Sequence, residues 1–252
     1  MVPDEVRQAA ESHAYPLLFA TVSGAHLYGF DSPDSDWDLR GVHILPATQV
    51  VGLSPLEETI ETARKESVEL DLVTHDVKKF FKLLLRPNGY VLEQLLSPIV
   101  VYSTTEHEEL KAISVDCLTR HHVHHYLGFA ENQWRLFLKE AQPRIKPLLY
   151  TFRVLLTGIH LMRSGEIQAN LNHLHSMYPL SYLPELIARK RDGAEQQTLP
   201  SAEAAFYEKE FAALRERLVT EAATTKLPAA NSAAPSLNDM LVRIRLNGLS
   251  SR

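Results

Sequence analysis

Apolar positions along the chain keep two periods, one before residue 103 and another after it. Before it they come in short runs. Residues 17–22, Leu-Leu-Phe-Ala-Thr-Val, are uninterrupted, the pattern of a strand buried on both faces. Residues 36–44 follow a loop rich in Gly, Ser, Pro and Asp and read as a second strand. Residues 58–63 and 67–74 predict two more, joined by a charged turn at Arg64-Lys65-Glu66, and residues 99–102 predict a further one. In the fourth strand Val68, Leu70 and Leu72 face one way and Glu69, Asp71 and Val73 the other, because strand side chains alternate. Helices are expected at 3–13, where Pro3 and acidic residues occupy the first turn, and at 77–85, with Asp76 as N-cap. Pro87-Asn88-Gly89 then breaks the chain before a short helix at 91–96.

Beyond Ser103 the spacing turns helical. Amphipathic stretches predict helices at 106–116, 118–141 and 147–164, then at 182–190 and 200–221, and a terminal one at 237–246. Residues 222–235, rich in Thr, Ala, Pro and Asn, read as a flexible extended linker. The expected fold class is α+β. A small mixed or antiparallel sheet with helices fills residues 1–103, and an all-helical C-terminal domain fills 104–252.

The single cysteine, Cys117, excludes a disulfide framework or a thiolate zinc cluster within one chain. No stretch reaches the ~18–20 apolar residues that span a bilayer, and the first residues lack a signal-peptide pattern, so a soluble cytoplasmic protein is expected. A net charge of −5 advertises neither nucleic-acid nor membrane binding overall. Its distribution is uneven, however. Residues 31–76 hold eleven acidic residues against Arg40, Arg64 and Lys65, whereas 134–163 hold six Lys or Arg against Glu140 alone. An acidic module that gathers metal and a basic one that holds a triphosphate fit a nucleotide site in a cleft between two parts. Solvated faces are the plain alternative.

The chemistry concentrates between residues 23 and 42. Gly24 supplies a tight turn whose backbone N–H groups can meet an anion. Asp36 and Asp38 share one strand face, where two carboxylates repel unless a cation joins them. A phosphate-holding turn facing a carboxylate pair that can hold Mg²⁺ describes a nucleotide–metal site.

Small-Gly-Ser, a spacer of about ten residues and Ser-Asp-x-Asp form the signature of nucleotidyltransferases of the DNA polymerase β superfamily, which this chain resembles. The longer string Tyr28-Gly-Phe, Ser35-Asp-x-Asp-Leu-Arg-Gly-Val42 is similar to its minimal branch, the RNA-ligase-associated (RlaP-like) nucleotidyltransferases. The resemblance continues through Asp76-Val-Lys-Lys-Phe-Phe, Asn88-x₄-Glu93-x-Leu95 and Lys146-x₃-Tyr150-x₂-Arg153 to Leu237-Asn-Asp-x-Leu-Val242. It implies catalytic Asp36, Asp38 and Asp71, the last where the superfamily places its third carboxylate, ligating two Mg²⁺ or Mn²⁺ ions. It implies nucleotide contacts from Ser23, Gly24, Ala25, His26, Ser35, Arg40, Lys146, Tyr150 and Arg153. The implied reaction transfers a nucleoside monophosphate from an NTP to an acceptor, with an RNA end expected first and a small molecule or protein left open. Ala25 departs from the pattern, since family members carry a serine there.

Plainer readings stand beside these. Asp-x-Asp often caps a turn, Arg40 can simply pair with the aspartates, and His26 can be a neutral surface histidine. Lys146, Tyr150 and Arg153 share a helix face that can pack its aromatic inward with its cations in solvent. His121-His122-Val123-His124-His125 together with His75-Asp76 suggests a metal-dependent phosphohydrolase, although two histidines one turn apart make an incomplete site. A non-catalytic nucleotide- or RNA-binding module of the same fold is the other alternative, motivated by Ala25. Retention of three mutually repelling carboxylates argues against it.

Overall fold

The structure, a computed structural model, describes residues 2–65, 68–139, 143–192, 198–200 and 203–249. Glu66 of the expected charged turn, Ser67 at the expected start of the fourth strand, the end of the expected 118–141 helix and residues 201 and 202 lie outside them. The fold is α+β, and its contacts divide the chain into two compact units. One gathers the described residues of 1–27, 36–118 and 230–252, and the other those of 28–35 and 119–229. The expected division after residue 103 differs from this one, because the chain returns to the sheet unit at its C-terminal end.

The first unit is built on a five-stranded sheet in the order β3-β4-β2-β1-β5. Its strands are β1 (Leu17–Val22), β2 (Trp37–His43), β3 (Thr59–Lys65), β4 (Glu69–Asp76) and β5 (Val100–Ser103). Only β2 and β4 pair in parallel; the other pairs are antiparallel. Alternation sorts the faces. Leu39, Leu70 and Leu72 join Ala20 and Val22 in a core closed by Val6, Ala9 and Ala10 of α1 (Asp4–Glu11). On the opposite face Phe19 stacks on His107 and meets Phe80 edge-on, so α4 (Val77–Leu84), α5 (Gly89–Leu95) and α6 (Thr105–Ser114) cover that end. Short helices α2 (Gly24–Tyr28) and α3 (Ala47–Val50) interrupt the loops.

Asp76 does cap α4, accepting from the Lys78 N–H at 3.0 Å. It is also claimed by Arg245 of α12 (Ala234–Asn247), at 2.5 and 2.6 Å, so the buried carboxylate and the terminal helix hold each other. The segment expected as a flexible linker is shorter and tied down. α11 (Ala204–Thr224) and α12 enclose it, the Thr225 hydroxyl donates to the Met162 carbonyl, and Asn231 donates to that of Leu85. Its polar side chains satisfy carbonyls that helix ends leave open.

The second unit surrounds α8 (Ile145–Ser164), buried over most of its surface as an apolar helix at the centre of a bundle must be. Around it lie α7 (His122–Lys139), α9 (Leu171–Met177), α10 (Leu183–Asp192) and α11. Gly158 lets Tyr126 and Leu218 come close: a Cβ there would lie 2.9 Å from that of Tyr126.

Two buried histidines in the sheet unit make stability depend on pH. His107 donates from Nε2 to the Leu95 carbonyl at 3.1 Å, leaving Nδ1 to accept from Ser103. His43 meets the Thr74 hydroxyl at 2.9 Å. Burial pushes both imidazoles down from 6.5 to about 4. Between those values the unfolded chain takes up protons that the folded chain refuses, so stability is full above the window and falls as pH drops through it. Urea unfolding followed from neutral pH downward is expected to lose several kcal/mol below about pH 6; a flat profile would contradict the assignment.

Candidate active site

The sheet register brings the carboxylates together. Asp38 on β2 lies directly opposite Asp71 on β4, and Asp36 stands exposed two residues before Asp38. Between them sits Arg40. One terminal nitrogen, Nη2, lies 2.7 Å from Asp38 Oδ1 and 2.9 Å from Asp71 Oδ2. Nη1 donates to the Asp71 carbonyl at 2.7 Å and that of Leu39 at 3.0 Å, while Nε donates to the Tyr90 hydroxyl at 3.1 Å. Burial opposes the charge, but Tyr90, Asp38 and Asp71 outweigh it and the pKa of Arg40 is raised. Arg40 thus pairs with the aspartates, as the plainer reading of it expected. Tyr90 was not singled out in the sequence. Its signal is its place two residues after Asn88, whose side chain caps α5 and aims the helix's first turn at Arg40.

Gly24 fits against this pair. Its φ is +62°, and a Cβ there would fall 1.9 Å from Asp38 Oδ2. A glycine is therefore demanded both by backbone conformation and by the approach of the carboxylate. The neighbouring Ser23 N–H donates to the Asp38 carbonyl at 2.8 Å. The Ser23 hydroxyl is buried with no hydrogen-bond partner among the described residues, the kind of atom that an incoming oxygen would satisfy. Ala25 is buried, and His26 stacks on Trp37 with ring centroids 3.9 Å apart. Gly24 to Tyr28 form α2, a turn of helix that the tight-turn expectation did not include.

The remaining expected contacts belong to the second unit. Ser35 closes a turn with Ser32: its N–H donates to the Ser32 carbonyl, and its hydroxyl accepts from the Ser32 N–H, both at 2.9 Å. On α8, Tyr150 packs edge-on to Tyr28 and Phe30, each 5.4 Å away, and Lys146 and Tyr150 stay partly exposed. Arg153 departs from both expectations for it. It is 1% exposed, with its guanidinium 3.8 Å over the Tyr28 ring, held by a cation–π contact rather than reaching phosphate or solvent.

The histidines do not assemble a centre. His121 stacks on His124, His122 bonds within the Thr119 turn, and burial next to His122 and Arg153 lowers His125 to about 4. His75 meets the Thr59 hydroxyl, and Asp76 is committed to α4 and Arg245. Among the described residues no three His, Cys, Asp or Glu are gathered as a metal-holding group. The all-carboxylate set of Asp36, Asp38 and Asp71 nonetheless suits a hard divalent cation, and the cation that joins Asp38 and Asp71 here is Arg40.

Substituting Gly24 tests the close approach. Gly24→Ala is expected to cost about 1–3 kcal/mol in urea unfolding and to displace Asp38. Gly128→Ala, where nothing lies within 4 Å of the added carbon, is expected to be neutral or stabilising. Equal stability of the two variants would contradict this geometry.

Comparison with known proteins places the chain. The uncharacterized protein MJ0002 of Methanocaldococcus jannaschii is 34% identical over 161 residues, covering 62% of this chain and 64% of its own length, just under two thirds. The uncharacterized protein YcgL of Bacillus subtilis is 25% identical over 201 residues, covering 78% of this chain and 73% of its own. A solved nucleotidyltransferase-like protein from Exiguobacterium sibiricum aligns with 96% of this chain and 76% of its own at 13% identity and a TM-score of 0.31, too slight a likeness to carry weight. The family model for RlaP, the RNA repair pathway DNA polymerase beta family, matches residues 1–243, and the chain belongs to that family.

Proposed function

We propose that this chain, a nucleotidyltransferase of the DNA polymerase β kind, transfers a nucleoside monophosphate from an NTP to an acceptor with release of pyrophosphate, an RNA end being the first acceptor to test. The observation that carries the reading is the in-register meeting of Asp38 and Asp71 on parallel strands, with Gly24 packed against Asp38. Asp36, Asp38 and Asp71 would hold the divalent ions. Bound there, two Mg²⁺ or Mn²⁺ ions would neutralise charge on the triphosphate and on the departing pyrophosphate.

The chain's own residues do the rest. Arg40 bridges Asp38 Oδ1 and Asp71 Oδ2. Asp71, at 46% side-chain exposure against 29% for Asp38, has the freer second oxygen with which to orient an acceptor hydroxyl and take its proton. The buried Ser23 hydroxyl and that of Ser35 are donors for phosphate oxygens. One observation favours a second reading. Because Arg40 already satisfies the carboxylates, a module that binds nucleotide without turning it over needs no metal to be stable.

The test is incubation with each α-³²P-labelled NTP, Mg²⁺ and a pool of small RNAs, beside the double variant Asp36→Ala/Asp38→Ala. Label on RNA from the wild type, reduced at least about a hundredfold in the variant, is expected. Binding of NTP without transfer to RNA or any other acceptor would favour the second reading, and absence of NTP binding would overturn both.

A further inference from the structure

Lys190 is 1% exposed on the last turn of α10, and the proposed chemistry makes no use of it. Burying an ammonium is costly unless it is hydrogen-bonded or paired. Its Nζ lies 2.7 Å from the Ser32 hydroxyl, 158 residues away in sequence, and the next residue, Arg191, reaches Asp31 at 3.9 Å. The helix C-terminus favours both cations. Two consecutive side chains of α10 thus grip the loop that runs into Ser35 and Asp36.

The direction of these hydrogen bonds decides what Ser35 can do. An ammonium only donates, so Ser32 Oγ must accept from Lys190. Donation by the ammonium draws electron density from Ser32 Oγ and makes Ser32 the stronger donor of the two hydroxyls. This favours placing its hydrogen on Ser35 Oγ, 3.0 Å away; Ser35 Oγ also accepts from the Ser32 N–H at 2.9 Å. In that arrangement both lone pairs of Ser35 are engaged and its own hydrogen points outward. We propose that Lys190 is a positioning residue that, through Ser32, biases the Ser35 hydroxyl toward donating to a nucleotide phosphate oxygen. This rests on the reading that Ser35 contacts phosphate. Without Lys190 that bias is lost, and Ser35 turns its hydrogen inward as readily as outward.

A double-mutant cycle separates this role from simple support of the loop. ATP, CTP, GTP and UTP are titrated calorimetrically into wild type, Lys190→Met, Ser35→Ala and the double variant, with urea unfolding run in parallel. Each single variant is expected to weaken binding about tenfold or more, and the double no further than Ser35→Ala alone. Losses that multiply, or wild-type binding by Lys190→Met, would overturn the relay while leaving the phosphate role of Ser35 intact. Wild-type binding by Ser35→Ala would remove that role and the relay with it, and no binding by wild type would remove the nucleotide reading itself. Should Lys190→Met fail to fold, Ser32→Ala cuts the same relay at its middle. It is expected to reproduce the loss, and wild-type binding by it would overturn the proposal.

Discussion

Two carboxylates brought into register on neighbouring strands are the constraint around which the sheet unit is arranged. Asp38 and Asp71 repel each other, and the parallel pairing of β2 with β4 does not let them separate. A guanidinium answers the repulsion: Arg40, one alternation along β2, spends all three nitrogens on Asp38, Asp71, two carbonyls and Tyr90. The rest of the unit serves this arrangement. α1 seals the apolar face behind the strands, Asn88 sets the first turn of α5 so that Tyr90 meets Arg40, and Gly24 keeps space open beside Asp38.

A carboxylate cluster of this kind balances against one cation at a time. An arginine neutralises one charge and is tethered to the strand; a divalent ion neutralises two and binds more strongly where geometry allows. Arg40 therefore stabilises the folded chain without a bound ion, and on the proposed reading it turns away when its partners become ligands. The buried pairs elsewhere are of a different kind. Asp76 with Arg245 joins a helix cap to the terminal helix, and Arg153 over Tyr28 fastens α8 to the residues that follow Leu27. Each is enclosed on both sides, so neither is poised for exchange.

Local signals were legible in the sequence, and long-range ones were not. The apolar run of β1 and the capping role of Asp76 are stated by residues next to each other, and both appear as read. Helices α2 and α3, of five and four residues, are too short for a helical period to show. The carboxylates could be named from their motif, but their pairing register could not, since β4 reaches β2 across some thirty residues of loop and β3. The same limit hid Arg153, which exchanges solvent for an aromatic face well over a hundred residues earlier, and α12, whose Arg245 returns to Asp76 at a separation of 169. Residues 222–235 misled by composition: Thr and Asn suit a linker, but here they are hydrogen-bonded to carbonyls.

The central claim is that Asp36, Asp38 and Asp71 form a cation-exchange centre with Arg40 as its resident partner. A crystal structure with Mn²⁺ and a non-hydrolysable NTP analogue, read by anomalous scattering, tests it most directly. The account predicts a manganese peak within coordinating distance of Asp38 and Asp71, with Arg40 turned away from at least one of them. Manganese bound elsewhere, with Arg40 still bridging the pair, would contradict it.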